Sequence, residues 1–217
     1  NRSREYDSLG DRYASFLDEL CGEREYQKQA ILTALRYVLG GEYRHLEELA
    51  RENWGDKEVL RDRYGSWKNF NNHLQFPDKL SATLDLATGT GKSYVIYGIA
   101  AILLAEGAVD RVLVLCPSTT IERGLLDKFH DLAKNADLRA LLPATAKITI
   151  PRIIDASETI VEGTICVENR DAVYEHVRSS IRDSLWGNGA RVAVLNDEAH
   201  HVANDPDAKT KRWKEFL

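Results

Sequence analysis

The chain has 217 residues, of which 43% are hydrophobic and 29% charged, and a formal net charge of −5 at pH 7. These values describe an ordinary globular protein of one α/β domain, or one domain with an appendage. The acidic balance argues against a mainly electrostatic, nonspecific nucleic-acid binder, but it leaves room for a local basic face. No apolar run approaches the ~18 residues of a membrane span. With no signal peptide visible and three scattered cysteines without zinc spacing, we expect a cytoplasmic protein.

The first 79 residues predict a helical region. Apolar residues recur at helical spacing over 5–20 and 25–39, and Gly40 and Gly41 end the second run. Two short charged helices are predicted at 42–52 and 56–63. An aromatic set lies among them: Trp54, Tyr64, Trp67 and Phe70. Its rings form either the core of a small helical insertion, which we favour, or a surface on which bases stack.

Strands and helices alternate from Leu80 onward. Strands are predicted at 82–86, 111–116, 148–154, 164–168 and 191–196, and helices at 92–106, 120–134 and 170–185. Such alternation is typical of βαβ units with a mainly parallel sheet. We therefore expect a second domain of α/β class over 80–217.

The stretch Leu86-Ala-Thr-Gly-Thr-Gly-Lys-Ser93 has the pattern of a phosphate-binding loop between a strand and a helix. Glycines let several backbone N–H groups point at one anion, and the helix N-terminus adds its positive dipole end. Lys92 is predicted to reach the β- and γ-phosphates, and Ser93 to hold Mg²⁺ through its hydroxyl. The alternative is an ordinary glycine turn.

Two carboxylates follow the apolar strand Val192 to Leu195. In open α/β sheets, ligands bind beyond the carboxyl ends of the strands. Asp197 is predicted to bind Mg²⁺, and Glu198 to orient and polarise an attacking water. The alternative is a solvated acidic loop.

These stretches resemble motifs I and II of superfamily-2 helicases and translocases. Arg24-Glu-Tyr-Gln-Lys-Gln-Ala-Ile31 resembles the Q motif, and Val112-Leu-Val-Leu-Cys-Pro-Ser-Thr-Thr120 resembles motif Ia. The doubled histidine in Asn196-Asp-Glu-Ala-His-His-Val202 further resembles the restriction-subunit group of type III restriction enzymes among DEAD/DEAH-box proteins.

The resemblance implies a RecA-like P-loop NTPase domain that binds ATP and Mg²⁺. Lys92, Asp197 and Glu198 are then the catalytic residues, with Ser93 and Asp197 as metal ligands. The nucleotide-binding residues are predicted to be Tyr26, Gln27, Thr88, Gly89, Thr90, Gly91, Lys92 and Ser93. His200 resembles the residue that links the nucleotide site to the nucleic-acid side.

Candidate nucleic-acid contacts come from motif Ia and from a match to motif Ib. They are Pro117, Ser118, Thr119, Asn169 and Arg170. Backbone N–H and hydroxyl groups at these strand ends suit a phosphate. Ser or Thr after Pro117 could also simply cap the next helix.

The sequence departs from the family pattern in three places. Position 86 is Leu where Gly or Ala is common, the motif III triplet is absent after motif II, and the Q motif lies far from motif I. The last departure leaves room for an insertion.

The sequence predicts the first motor domain of an ATP-dependent helicase or translocase of a restriction or defence type. DNA is the expected partner, with RNA left open, together with a second RecA-like domain and a methyltransferase or nuclease subunit. The alternative is a nucleotide-binding switch or assembly module that does not translocate. A small-molecule phosphotransferase is the weakest of the three hypotheses.

Two features predict that the chain is part of a larger multidomain protein. The sequence contains no Met and ends at Leu217, soon after motif II, so it is either a fragment or lacks residues. The arginine that completes such a site normally comes from a second RecA-like domain. We therefore expect nucleotide binding with weak or no turnover by this chain alone.

Overall fold

A computed structural model of the chain describes residues 7–41, 43–169, 181 and 191–198. The predicted helix at 170–185 lies outside these residues except for Ile181. The helices that the structure describes are α1 Asp7–Arg12, α2 Ala14–Cys21, α3 Glu25–Leu39, α4 Leu46–Asp56, α5 Glu58–Tyr64, α6 Trp67–Asn72, α7 Lys92–Ala105, α8 Thr119–Lys134 and α9 Ala136–Ala140. The strands are β1 Arg111–Cys116, β2 Arg152–Ile154, β3 Thr164–Asn169 and β4 Val192–Asn196.

The four strands form one parallel sheet in the order β2-β3-β1-β4. Cys116 lies opposite Asn169, and Leu115 lies opposite Asn196, so the carboxyl ends of β3, β1 and β4 are neighbours at one edge. The predicted α/β class with a mainly parallel sheet is confirmed.

Both faces of the sheet are covered, as a parallel sheet requires. Val112, Val114 and Cys116 face a core built with α2, α3, α7 and α8. Leu113 and Leu115 face the opposite side, where Ile181 is fully buried. This burial on both faces explains why β1 is apolar from Val112 to Cys116.

One predicted strand is wrong, because residues 81–87 form no strand in the structure. A strand buried on both faces needs a nearly continuous apolar run, whereas Ser81, Thr83 and Asp85 interrupt this one. Residues 82–85 are exposed, and the segment leads to the glycine loop as irregular chain.

The predicted helical insertion is confirmed and extends one helix further than expected. Trp54 stacks on Phe70 with ring centroids 5.6 Å apart, and Trp67 packs edge-on against Trp54 at 6.2 Å. The third helix, α6, begins where the Ser66 hydroxyl accepts a hydrogen bond from the backbone N–H of Asn69. The rings thus form the small core of an insertion, α4–α6, as we favoured from the sequence.

Other differences are local. The single helix predicted at 5–20 is divided into α1 and α2 at Tyr13, and the strand predicted at 148–154 is shortened to β2. The cysteines Cys116 and Cys166 are buried core residues. None of the helices in the described part of the chain has the length and hydropathy of a membrane-spanning helix.

Candidate functional site

Two glycines shape the loop that leads into α7. Gly89 has φ 80° and Gly91 has φ 75°, a left-handed backbone that glycine adopts without steric cost. Gly91 also precedes α7 as its N-cap residue. A Cβ at position 91 would lie 2.6 Å from Nε2 of Gln27, which is closer than real Cβ contacts come. The glycine at position 91 is therefore required both by conformation and by space.

Tyr26 and Gln27 fasten this loop from α3. The Gln27 side chain is fully buried, and its Nε2 donates to the carbonyl oxygen of Thr90 at 2.6 Å. The Tyr26 hydroxyl donates to the same carbonyl at 3.0 Å. The Thr90 hydroxyl closes the turn by donating to the carbonyl of Ala87 at 2.7 Å. The structure thus brings the predicted Q motif and motif I together.

The Oε1 atom of Gln27 is buried and has no hydrogen-bond partner among the described residues. Buried polar side-chain atoms are normally paired, so this oxygen has the capacity to accept a hydrogen bond from a donor that the chain itself does not supply. An adenine amino group is a donor of this kind. The residues present therefore fit an adenine nucleotide on this side of the loop.

Lys92 and Glu198 meet although they lie far apart in the sequence. The Lys92 ammonium Nζ is 2.9 Å from Oε1 of Glu198, and each side chain is 26% exposed. Glu198 has φ 56°, a left-handed backbone conformation that is uncommon for a residue other than glycine. Residues in such conformations cluster at functional sites. The contact places the motif II carboxylate beside the amine that the sequence assigned to phosphate.

Asp197 continues the pairing of β4 with β1, since its N–H donates to the carbonyl of Leu115 at 2.8 Å. Burial raises the pKa of Asp197 above its ordinary value, and the negative charge of Glu198 raises it further. The charge of Lys92 and a backbone hydrogen bond from Glu198 act in the opposite direction. A half-buried carboxyl beside another carboxylate suits a cation, whose charge favours the ionised form.

The candidate nucleic-acid residues that the structure describes lie at the same edge of the sheet. Ser118 is exposed and caps α8, because its hydroxyl accepts from the N–H of Ile121 at 3.4 Å, as the capping alternative predicted. Pro117 and Thr119 flank it. The Asn169 side-chain amide donates to Glu122 and Glu168 at 2.7 Å each. Arg170 and His200 lie outside the described residues.

Two contacts had no signal in the sequence. One is the pairing of Asn169 with Glu122 and Glu168, which depends on β3 lying next to β1. The other is between α7 and α8, where the Lys128 ammonium lies 4.6 Å from the ring centroid of Tyr94. Neither pair follows a motif or a spacing along the chain.

A parallel sheet with a glycine loop at a helix start and an acidic pair at a neighbouring strand end defines a RecA-like α/β domain of the P-loop class. The family described as type III restriction enzyme, res subunit, has a model that matches residues 21–217. Since this range covers most of the chain, the protein belongs to that family and is a superfamily-2 helicase-like domain. No curated protein and no solved structure matches the chain.

Proposed function

We propose that this chain is the ATP-binding first motor domain of a nucleic-acid helicase or translocase of a restriction or defence type. The observation that carries the proposal is the contact of Lys92 with Glu198. Hydrolysis of ATP in P-loop enzymes needs a phosphate-binding lysine and a water-positioning group at one place, and this contact joins them. Membership of the restriction-subunit family supports the same function.

The chain's own residues suggest the binding roles. Tyr26 and Gln27 hold the Thr90 carbonyl, which leaves Oε1 of Gln27 for the adenine edge. The backbone of Thr88 to Gly91 lies at the start of α7, where N–H groups without helical partners attract phosphate.

The catalytic roles follow from the acidic pair. Lys92 must exchange Glu198 for a phosphate oxygen, and this exchange releases the Glu198 carboxylate to orient water. Ser93 and Asp197 are the proposed Mg²⁺ ligands. When bound, Mg²⁺ supplies positive charge to the phosphate oxygens.

We propose DNA as the nucleic acid, with RNA as the alternative, and Pro117, Ser118, Thr119 and Arg170 as contact residues, since the Asn169 amide already donates to Glu122 and Glu168. His200 is the proposed link between the two ligands. A second RecA-like domain and a methyltransferase or nuclease subunit are the proposed protein partners. Because the second domain would supply the arginine, this chain should bind ATP but hydrolyse it slowly.

Binding of a fluorescent ATP analogue with Mg²⁺ tests the nucleotide site directly. The Lys92→Ala substitution should weaken binding at least about tenfold, since a charge-assisted contact is worth about 1.5–3 kcal/mol. The matched control is Lys134→Ala, which removes an exposed lysine from the last turn of α8. Equal affinities of the two variants would contradict the nucleotide site.

The motor function is tested separately, in a protein that contains this chain and a second RecA-like domain. Its ATP hydrolysis should rise severalfold when DNA is added. A rate that ignores both DNA and RNA would instead support a nucleotide-dependent switch or assembly module. Fast hydrolysis by the present chain alone would contradict the need for a second domain.

A further inference from the structure

A pair of carboxyl groups bridged by one amide joins α8 to the end of β3. The side-chain nitrogen Nδ2 of Asn169 lies 2.7 Å from Oε2 of Glu122 and 2.7 Å from Oε1 of Glu168. The backbone N–H of Asn169 points at the same two oxygens, at 3.1 and 3.0 Å. Since the amide Nδ2 and the backbone N–H of Asn169 each donate to both carboxyl groups, the two carboxyl groups are held side by side. We call Glu122 and Glu168, bridged by Asn169, the bridged carboxyl pair.

Acidic and apolar surroundings favour a proton on this pair. Glu168 is 9% exposed, and its second oxygen accepts from the N–H of Ala156 at 3.1 Å. Burial, followed by the hydrogen bond and charge of Glu122, raises the pKa of Glu168 to about 7, against the hydrogen bonds from Asn169 and Ala156. A proton on Glu168 relieves the repulsion between the two adjacent carboxyls, which is why Glu168 keeps its proton to a higher pH than an ordinary glutamate does.

The other titratable groups around the pair, among the described residues, do not offset this tendency. The thiols of Cys116 on β1 and Cys166 on β3 lie close by, with Asp197 after β4 and with Asp155 and Glu158 after β2. Glu158 forms an ion pair with Arg152. The charged groups that act on this part of the core are thus mainly acidic.

The bridged carboxyl pair lies between the two loops that the proposed function assigns to nucleic acid. Glu122 is in the first turn of α8, directly after the loop that holds Ser118. Asn169 ends β3 opposite Cys116, whose thiol lies 3.5 Å from the Ser118 carbonyl and 3.4 Å from the Glu168 carbonyl. A change in the pair therefore acts on both loops at once.

We propose that Glu122, Asn169 and Glu168 are positioning residues that hold the start of α8 against the end of β3 only while Glu168 keeps its proton. Loss of that proton leaves two negative charges on one amide, which loosens the contact. It also adds negative charge beside the loops that would contact phosphates. The affinity for nucleic acid should then fall as the pH rises from about 6 to about 8. This consequence rests on the proposed function, whereas the proton-dependent contact does not.

Stability against pH tests the contact without nucleic acid. The pKa of Glu168 is raised above 4.5 in the folded chain, so its contribution to stability is complete below that value and is lost as the pH approaches 7. Glu168→Gln keeps the shape without the charge, and it should remove this loss from the free energy of unfolding. Glu162→Gln is the matched control, because it removes an exposed carboxylate and should retain the wild-type slope.

A second variant keeps the test decisive if Glu168→Gln does not fold. Glu122→Gln removes a negative charge that raises the pKa of Glu168, so the loss of stability should still begin near pH 4.5 but should be smaller and end at a lower pH than in the wild type. Equal pH profiles for the wild type, Glu168→Gln and Glu122→Gln would overturn the proposal.

Nucleic-acid affinity tests the positioning role. A labelled single-stranded DNA is titrated at about pH 6 and about pH 8 at constant ionic strength, which keeps screening equal. The wild type and Glu162→Gln should lose at least about threefold in affinity across this range, and Glu168→Gln should lose little. An equal loss in all three overturns the positioning role. If the wild type binds no DNA or RNA at either pH, the proposed function fails, and the stability profiles alone decide the proton-dependent contact.

Discussion

At the scale of single residues, the two loop glycines differ in what surrounds them. Gly89 faces open space, with no atom within 4 Å of an added Cβ. Gly91 is enclosed by Gln27, at 2.6 Å from the position of that Cβ, and by Tyr94 at 3.4 Å. The residue that fastens the loop is thus the same one that excludes a side chain at position 91.

Gly91→Ala should therefore destabilise the chain by about 1–3 kcal/mol, through the positive φ and the contact with Gln27. Denaturant unfolding measures this change. The control is Gly124→Ala in α8, where an added Cβ meets nothing and φ is ordinary. Since alanine favours a helix more than glycine does, this control should gain up to about 1 kcal/mol. A neutral Gly91→Ala would contradict the enclosed geometry.

Gln27 should set the preference for adenine over guanine. Its buried Oε1 has no partner among the described residues, and guanine would present a carbonyl there in place of an amino group. Gln27→Ala should reduce the ratio of ATP to GTP affinity by about fivefold or more, because an unpaired buried polar atom costs about 1–3 kcal/mol. Competition between the two nucleotides measures this ratio. Gln29→Ala, on an exposed position of the same helix, should leave it unchanged.

At the scale of secondary-structure elements, the sequence predicted the long and uniform segments best. The helices α3, α7 and α8 and the strands β1, β3 and β4 were expected within one or two residues of their observed bounds. The segment at 82–86 was predicted as a strand from Leu84 and Leu86, but its polar residues are exposed. Whether so short a segment forms a strand depends on its burial in the tertiary structure, and a local sequence pattern carries no information about that burial.

The insertion α4–α6 is a small structural unit with an aromatic core of its own. Its rings contact one another, Arg51 lies 4.5 Å from the ring centroid of Trp67, and Arg61 donates to the carbonyl groups of Trp54 and Gly55. Backbone hydrogen bonds from Leu46 to Lys79 and from Glu47 to Pro77 close its base.

Trp54→Ala should open this insertion without unfolding the sheet, because it removes the ring that packs on both Trp67 and Phe70. Limited proteolysis should cut within about residues 45–76 several times faster, while β1 and β3 stay protected. Val59→Ala is the control, since Val59 lies on the same insertion with 67% of its surface exposed. Equal cleavage of both variants would show that the rings do not hold the insertion together.

At the scale of the whole molecule, the sequence predicted which motifs meet but not how the remaining polar groups pair. Lys92 and Glu198 were assigned to one site from their motifs, and the structure brings them to 2.9 Å. The bridged carboxyl pair depends on the strand order β2-β3-β1-β4, which no local pattern determines. Asn169 was expected to face nucleic acid, whereas its amide is used within the protein by Glu122 and Glu168.

The N-terminal helices share one core with α7, which follows the glycine loop, so a change in these helices should be felt in the sheet as well. Ile31 of α3 is fully buried, and its Cδ1 would lie 2.7 Å from a Cβ at Gly98 of α7, so the two helices pack closely. Ile31→Ala should lower the free energy of unfolding by about 2–5 kcal/mol. Hydrogen exchange should show equal losses of protection in α3, α7 and β1, since one core joins them. Val161→Ala is the control, because Val161 is 42% exposed, and it should leave the protection of all three segments unchanged. Loss of protection confined to α3 would mean that the N-terminal helices unfold separately.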